Sequence, residues 1–255
     1  MKPHDLICEI QGLPFIHPTF HPEKLMTFVA TTRRNIENRG APLSTYIHPD
    51  YATNLYSRNV EGAPTMPAHQ PLSNAENFML SAAMNNVKEL VPEWTTLVEV
   101  PLRVHKLKDS RVSLTNPLIP QQIFLGESAF SNITELEELI VHELSHIWCS
   151  LICEIYDFQI KSSKNDYVLP SGTGGKNPRG VLLAALFAIS AANYHRRLLA
   201  SGSSRARASR VNYLQSYFHG SVSILQRSAE LSVMGNLILT QLETASKMLQ
   251  PIAEK

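Results

Sequence analysis

The segment His142-Glu143-Leu144-Ser145-His146 has the residue types and the spacing of a metal-binding site. On an α-helix, residues four apart lie one turn above each other, so His142 and His146 would point the same way and could bind one ion. Glu143 would project beside that ion, where zinc peptidases use a glutamate to take a proton from water. The motif therefore predicts two metal ligands and a catalytic carboxylate. The competing interpretation is a chance meeting of two histidines on an amphipathic helix.

The residues around this motif have the pattern of an α-helix. Thr134 is followed three residues later by Glu137, which is the pattern of a capping box and predicts that the helix begins there. Cys149 continues the histidine side of the helix and could reach a soft metal, although cysteines at such positions are more often small buried apolar residues. The apolar residues recur mostly at intervals of three and four: Leu136, Leu139, Ile140, Ile147, Leu151 and Ile155.

Composition argues against several functional classes. The chain has 255 residues, 44% of them hydrophobic, which can bury the core of one large or two small domains. A net charge of +1 gives no general attraction to nucleic acid or to anionic membranes. The first residues lack the apolar core of a signal peptide, and the longest uncharged apolar run, residues 180–194, is too short to span a bilayer. Since three cysteines cannot form a disulfide framework, we expect a soluble cytoplasmic protein.

The organisation of the chain changes once. Residues 1–72 are rich in proline and aromatic residues, and predict a wrapping region of loops and short elements around one helix, residues 22–38. Residues 73–255 are predicted to form the metal-binding catalytic domain. The predicted class is α+β, mostly helical, with the HExxH helix packed beside a small sheet. In this domain we expect strands within 95–107 and 121–128, a loop at 113–120, and helices at 73–90, 181–199, 209–226 and 229–249.

Three segments resemble a family of HExxH-containing proteins that modify ribosomally synthesised peptides. They are the HExxH helix, the block YVLPSGTGGKNPRGVLLAALFAISAANYHRR after it, and the closing block LSVMGNLILTQLE. The closing block is similar to that family's leucine-threonine-proline-x-glycine ending, with Ser232, Val233 and Met234 in place of the usual residues and Gly235 retained. The resemblance covers residues 122–250, about half of the chain.

The resemblance implies that the protein modifies a precursor peptide in RiPP biosynthesis. Some members of the family are iron(II)- and 2-oxoglutarate-dependent dioxygenases that hydroxylate peptide side chains at the β carbon, without the jelly-roll barrel usual for this chemistry. The resemblance therefore implies a non-cupin fold, with Fe(II) and 2-oxoglutarate as cofactors. Members often have another histidine or polar residue early in the helix after the Pro-Arg loop, where this sequence has Ala184, Ala185 and Ile189.

Two histidines leave a metal site incomplete, because hydrolytic zinc centres and oxygenase iron centres both use a third protein ligand. His195 is the first candidate, since it follows a stripe of alanines that would let its helix approach the motif helix closely. Alternatively, His195 only interacts with the C-terminal dipole of its own helix. Asp166 is the best carboxylate for a site of two histidines and one carboxylate, and His105 and His219 are further candidates.

A 2-oxoglutarate enzyme also needs a cation for the distal carboxylate of the cosubstrate. Arginine suits this role because its planar guanidinium binds a carboxylate through two parallel hydrogen bonds. Arg210, one helical turn before Tyr213, is the first candidate, and the two side chains could hold the carboxylate together. Arg179 is another candidate for binding the cosubstrate. Arg196 and Arg197 are further candidates. The basic residues around Arg210 could instead form a solvated helix face or attract an acidic leader peptide.

Three functions stay open at the level of the sequence. The first is an iron(II)/2-oxoglutarate-dependent hydroxylase of a precursor peptide. The second is a zinc-dependent metallopeptidase with Glu143 as general base, against which the sequence lacks the downstream histidine or glutamate motifs of the large peptidase classes. The third is a non-catalytic scaffold that binds the precursor peptide, against which His142, Glu143 and His146 are all intact.

Overall fold

The structure is a computed structural model that describes residues 1–37, 40–59, 65–108, 110, 113–202 and 205–248. Helices account for 64% of it and the strands form one small, open, mixed sheet, which confirms the mostly helical α+β class. Within the described ranges, no helix is both long and apolar enough to cross a membrane.

Helices precede and follow the short strands along the chain. The helices are α1 (Pro3–Ile10), α2 (Pro22–Glu37), α3 (Leu43–Ile47), α4 (Pro49–Asn59), α5 (Asn74–Leu90), α6 (Thr95–Val98), α7 (Ile133–Ile155), α8 (Pro178–Ala200), α9 (Arg205–Gln226) and α10 (Val233–Met248). The strands are β1 (His69–Gln70), β2 (Arg103–Leu107), β3 (Leu114–Asn116) and β4 (Ile119–Leu125).

The chain divides into two compact units, one formed by residues 1–21 with 156–255 and the other by residues 22–155. The first unit contains α1 and α8 to α10, in which α8 and α9 pack along each other, and α10 contacts both. The second unit contains the sheet and helices α2 to α7. The division expected at residue 72 falls inside this second unit.

The sheet has the strand order β1-β2-β4-β3, in which β2 and β4 are parallel and the two outer pairs are antiparallel. Successive side chains of a strand point to opposite faces. Leu114 lies opposite Phe124 on one face, and Thr115 lies opposite Ile123 on the other. Every residue of β4 is buried, so both faces of the central strand are covered.

Different helices cover the two faces of the sheet. Thr53 of α4 accepts a hydrogen bond from Gln122 at 2.6 Å, and Gln122 shares a face with Phe124, so we call this the α4 face. Helix α7 packs against β3 and β4, and its Glu143 is hydrogen-bonded to Thr115 on the opposite face, which we call the α7 face. The HExxH segment therefore lies in a helix that packs against the sheet.

Helix α7 begins after Asn132 and not at the predicted capping box. The Oδ1 atom of Asn132 accepts a hydrogen bond from the backbone of Thr134 at 2.8 Å, and its carbonyl accepts one from Leu136 at 3.0 Å. Asparagine is a strong helix cap because its short side chain reaches these first amide groups. Glu137 is instead buried and accepts a hydrogen bond from Asn86 of α5 at 2.6 Å. The predicted Thr134/Glu137 capping box is therefore wrong.

Other element boundaries also differ from the predictions. Residues 1–72 contain α1, α3 and α4 in addition to α2, and residues 95–98, expected in a strand, form α6. The segment 113–120, expected to be a loop, contains β3 and the first residues of β4. Helix α10 begins at Val233 because the preceding Leu231 bridges Gln159 and the amide of Ser232 donates to the Phe158 carbonyl at 3.0 Å. The predicted last residues of two helices, Asn38 and Leu249, lie outside the described residues.

A buried ion pair fixes the far end of α7 within its unit. Arg33 of α2 is fully buried and donates two parallel hydrogen bonds of 2.7 Å to the carboxylate of Glu154. Its remaining nitrogen donates to the Tyr46 carbonyl at 2.8 Å and to Gln121 at 2.7 Å. Since every charged atom of this pair has partners, the cluster is a structural clamp on α7.

The glycine of the closing block has a packing role. Gly235 lies in the first turn of α10, where its amide donates to the Ser232 hydroxyl at 3.1 Å. A Cβ atom on Gly235 would overlap the backbone carbonyl of Phe158. The backbone approaches so closely here that only glycine fits.

Candidate metal site on helix α7

The two motif histidines lie side by side on α7. The ring centroids of His142 and His146 are 4.5 Å apart, and the ring planes are nearly perpendicular, at 86°. Both side chains are partly exposed, 22% in the case of His146. The spacing of four residues on a helix produces this arrangement, as the sequence predicts.

Glu143 points into the second unit instead of towards solvent. It is 3% exposed, and burial raises its pKa to about 7, while a hydrogen bond with Thr115 opposes that shift. Its Oε2 atom lies 4.0 Å from Nδ1 of His146, beyond hydrogen-bond distance, and has no hydrogen-bond partner among the described residues. The motif therefore places a buried carboxylate directly behind the His146 ring.

The donor set on α7 fits two ligands of a metal ion. Two imidazoles at this separation suit zinc, iron, copper or nickel. A carboxylate beside one ring, such as that of Glu143, commonly supports a histidine ligand. In the described parts of the chain, however, no group of three or more histidine, cysteine, aspartate or glutamate side chains lies close enough together to hold a metal.

The predicted third ligands lie in several places. His195 is buried, 4% exposed, on α8 of the first unit. Asp166 is exposed in the loop before α8, and His219 is on the surface of α9, where it contacts Ser246 at 3.1 Å. His105 lies on the α4 face of the sheet, opposite the face that α7 covers, so the proposal of His105 as a ligand partner of the motif is wrong.

Cys149, the cysteine candidate on α7, and the nearby carboxylate of Glu154 both have structural surroundings. Cys149 is buried, and burial raises the pKa of its thiol well above the ordinary value, so it stays protonated as a small apolar group. Glu154 is bound by Arg33, in the clamp at the far end of α7. Neither residue is available to the motif histidines.

The proposed cosubstrate residues Arg210 and Tyr213 contact each other on α9. The guanidinium carbon of Arg210 lies 5.1 Å from the centroid of the Tyr213 ring, which is a cation–π contact. Tyr213 is 51% exposed, and its ring centroid is 6.1 Å from that of Tyr217 one turn further along. The exposed side of α9 therefore presents an arginine and two aromatic rings in a row.

The second arginine candidate is engaged in an ion pair. Arg179, in the first turn of α8, donates to the carboxylate of Asp157 at 3.2 Å, and its backbone amide donates to Gln159 at 3.1 Å. This pair fixes the start of α8 to the chain segment that follows α7. Arg196 and Arg197 lie near the end of α8.

Thr115 is a site residue that sequence reasoning missed. Its side chain hydrogen-bonds to Glu143, and it lies in β3, a strand of only three residues. The alternation of Leu114 and Thr115 before a buried strand is the signal that could have shown it, but so short a strand is stabilised mainly by its pairing with β4.

Comparison with known proteins adds no family assignment. No protein-family model matches the sequence, and no curated protein matches it.

Proposed function

We propose that this protein is an iron(II)- and 2-oxoglutarate-dependent hydroxylase that modifies side chains of a ribosomally synthesised precursor peptide at the β carbon, in the cytoplasm. The observation that carries the proposal is the pair His142 and His146, whose partly exposed rings lie 4.5 Å apart on one side of α7. The peptide substrate and the cosubstrate rest on the resemblance of three sequence segments to a family of peptide-modifying proteins.

The protein ligands in this proposal are His142 and His146, with His195 as the proposed third. Iron(II) held there would supply, with 2-oxoglutarate and dioxygen, the oxidant for a hydroxylation in which one oxygen atom goes to the peptide and the other to succinate, with release of carbon dioxide. The protein holds the two imidazoles in a fixed orientation, because both belong to one long helix that is packed on the sheet and clamped by Arg33. A fixed ligand pair lowers the entropic cost of assembling the site.

Glu143 acts in this proposal as a positioning residue. Its carboxylate lies beside Nδ1 of His146, so a His146 that binds metal through Nε2 would have Glu143 behind its ring. A carboxylate in that place holds the ring orientation and raises the basicity of the ligand nitrogen. Thr115 in turn holds the Glu143 carboxylate against the sheet.

Arg210 is proposed to bind the distal carboxylate of 2-oxoglutarate. Its cation–π contact with Tyr213 holds the guanidinium at the helix surface, and the tyrosine hydroxyl offers a further hydrogen bond to a carboxylate. Arg179 is the second candidate, and its guanidinium is paired with Asp157.

A zinc-dependent metallopeptidase is the second candidate function, and one observation favours it. Burial raises the pKa of Glu143 to about 7, which suits a general base that works near neutral pH. In this candidate Glu143 would take a proton from the attacking water, so its side chain would have to reach the exposed side of the histidine pair.

Anaerobic reconstitution distinguishes these candidates. The metal-free protein is loaded with iron(II), mixed with 2-oxoglutarate and a candidate precursor peptide, and then exposed to air. We expect succinate and a peptide heavier by one oxygen atom, and we expect zinc to inhibit because it has no accessible redox chemistry. Full activity with zinc and no 2-oxoglutarate, together with a cleaved peptide, would replace the hydroxylase with the peptidase.

A further inference from the structure

A second pair of histidines lies on the α4 face of the sheet. His69 on β1 and His105 on β2 are diagonal neighbours, because His69 is paired with Leu107 in the antiparallel register. Their ring centroids are 4.5 Å apart and the angle between the ring planes is 61°. Both rings also contact Phe124 of β4, at centroid distances of 5.8 Å for His69 and 5.3 Å for His105. Paired strands and a buried ring thus hold both imidazoles in place.

Hydrogen bonds determine which nitrogen of each ring carries the proton. Nδ1 of His69 lies 2.7 Å from the Pro67 carbonyl, which can only accept, so Nδ1 donates and Nε2 keeps its lone pair. Nε2 of His105 lies 3.0 Å from Oε1 of Gln122, whose amide nitrogen donates to Thr53 at 2.6 Å. Nε2 of His105 therefore donates as well, and Nδ1 keeps its lone pair.

The surroundings of His105 favour its neutral form, which a histidine ligand needs. Burial, and then the neighbouring His69, lower the pKa of His105 below its ordinary value. The charges of Asp50 and Arg103 act on the pKa of His105 in opposite directions, Asp50 raising it and Arg103 lowering it, and these two residues are joined by hydrogen bonds of 2.7 and 3.1 Å. On this face, the two imidazole nitrogens that keep their lone pairs, Nε2 of His69 and Nδ1 of His105, can therefore bind a cation.

We propose that Nε2 of His69 and Nδ1 of His105 bind one divalent late transition-metal ion, with zinc as the first candidate and water completing the coordination. Imidazole is a preferred ligand for zinc, copper and nickel. In protein metal sites the second nitrogen of a histidine ligand usually donates to a carbonyl or carboxylate, which fixes the tautomer and the ring orientation. Pro67 and Gln122 have that role here. Packing against Phe124 accounts for the ring stacking, and the hydrogen bonds to Pro67 and Gln122 leave one lone pair on each ring for the metal.

This site is independent of the hydroxylase function, because α7 covers the other face of the sheet. The test therefore uses the full chain with His142→Ala and His146→Ala, which removes the motif ligands. In calorimetric titration with zinc, this double variant should bind one equivalent more than the triple variant that also carries His69→Phe. The phenylalanine keeps the ring contact with Phe124. The matched control is His48→Phe, at an exposed histidine just before α4, which should leave the bound zinc unchanged.

No bound zinc in the double variant, or the same bound zinc after His69→Phe, would overturn the proposal. If His69→Phe does not fold, NMR of the double variant with ¹⁵N-labelled histidine gives a second measurement. Before zinc is added, the proton should be on Nδ1 of His69 and on Nε2 of His105. Zinc should then shift the resonances of Nε2 of His69 and Nδ1 of His105 together. The opposite tautomers, or a shift of only one residue, would contradict the proposal.

Discussion

Oε2 of Glu143 lies 4.0 Å from Nδ1 of His146, on the buried side of the helix that carries both residues. This relationship separates two roles for the glutamate of the motif. A carboxylate behind the ring supports a metal ligand, whereas a general base must face the substrate.

Replacement of Glu143 by glutamine tests which role applies. For a supporting carboxylate we expect activity or metal affinity to fall by about 10- to 100-fold, because the amide keeps the shape but loses the charge. For a general base we expect nearly complete loss of turnover with metal affinity retained. Steady-state rates and metal titration of the same preparation measure the difference. Full loss of turnover with unchanged metal affinity would contradict the supporting role.

Replacement of His142 or His146 by alanine should abolish stoichiometric metal binding at α7. The helix should stay folded, because both side chains are partly exposed and the clamp between Arg33 and Glu154 is intact. Elemental analysis and circular dichroism measure the two properties. His48→Ala, at an exposed histidine just before α4, is the matched control and should keep the metal. Retention of full metal content in either motif variant would mean that the metal binds elsewhere.

Replacement of Arg210 by methionine should raise the KM for 2-oxoglutarate and leave the KM for the peptide unchanged. A charged hydrogen bond contributes about 1.5–3 kcal/mol, so the expected increase is roughly 10- to 100-fold. Arg34→Met, at an exposed arginine of α2, is the control and should change neither value. An equal rise of both KM values would indicate that Arg210 has a structural role or binds the peptide.

Replacement of Gly235 by alanine should destabilise the first unit. The added methyl group would overlap the Phe158 carbonyl, and overpacking of this kind costs about 1–3 kcal/mol of unfolding free energy. Chemical denaturation measures this change. Gly174→Ala, in the same unit, is the matched control, since the nearest atom to the position of its Cβ, Cγ2 of Val168, is 3.9 Å away. Equal stability of the two variants would show that the backbone at Gly235 can move away without cost.

Glu76 should make the second unit less stable as the pH falls below about 4.5. The hydrogen bond from Lys106, at 2.5 Å, and that from the Ser73 amide hold the pKa of Glu76 below its ordinary value. A carboxylate whose pKa is lower in the folded state stabilises that state above its unfolded pKa, and this contribution is lost as the pH falls through the folded pKa. Glu76→Gln should therefore be less stable than the parent at pH 7, and the difference should shrink in acid. Glu89→Gln, at an exposed position of the same helix, should show no such change.

The periodic parts of the fold could be predicted from the sequence, and the parts that depend on distant contacts could not. Helix α7 was predicted because its apolar spacing is a local signal, yet its cap is Asn132, two residues before the predicted Thr134. Strand β3 was missed because three residues form a strand only through their pairing with β4. The strand expected at 95–98 is a helix, since β-branched residues such as Thr95 and Val98 favour strands only weakly.

The candidate site shows the same distinction between what local spacing predicts and what distant contacts determine. The side-by-side position of His142 and His146 follows from helical geometry alone, and the structure contains it. The burial of Glu143 and its bond to Thr115 depend on which side of α7 meets the sheet, and the motif does not carry that information. The residue type of His105 suits a ligand of the metal at the α7 motif, but the strand register puts His105 on the α4 face of the sheet.

The discontinuous first unit has a consequence for the order in which the protein matures during translation. Its opening segment, residues 1–21, leaves the ribosome long before its other segment, residues 156–255, while the second unit is one continuous stretch between them. The sheet and the histidine helix can therefore acquire their contacts while α8, α9 and α10 are still being synthesised. Nascent chains stalled after Ile155 contain all of the second unit, and helix α1 must wait until the last hundred residues have been added before it meets α10.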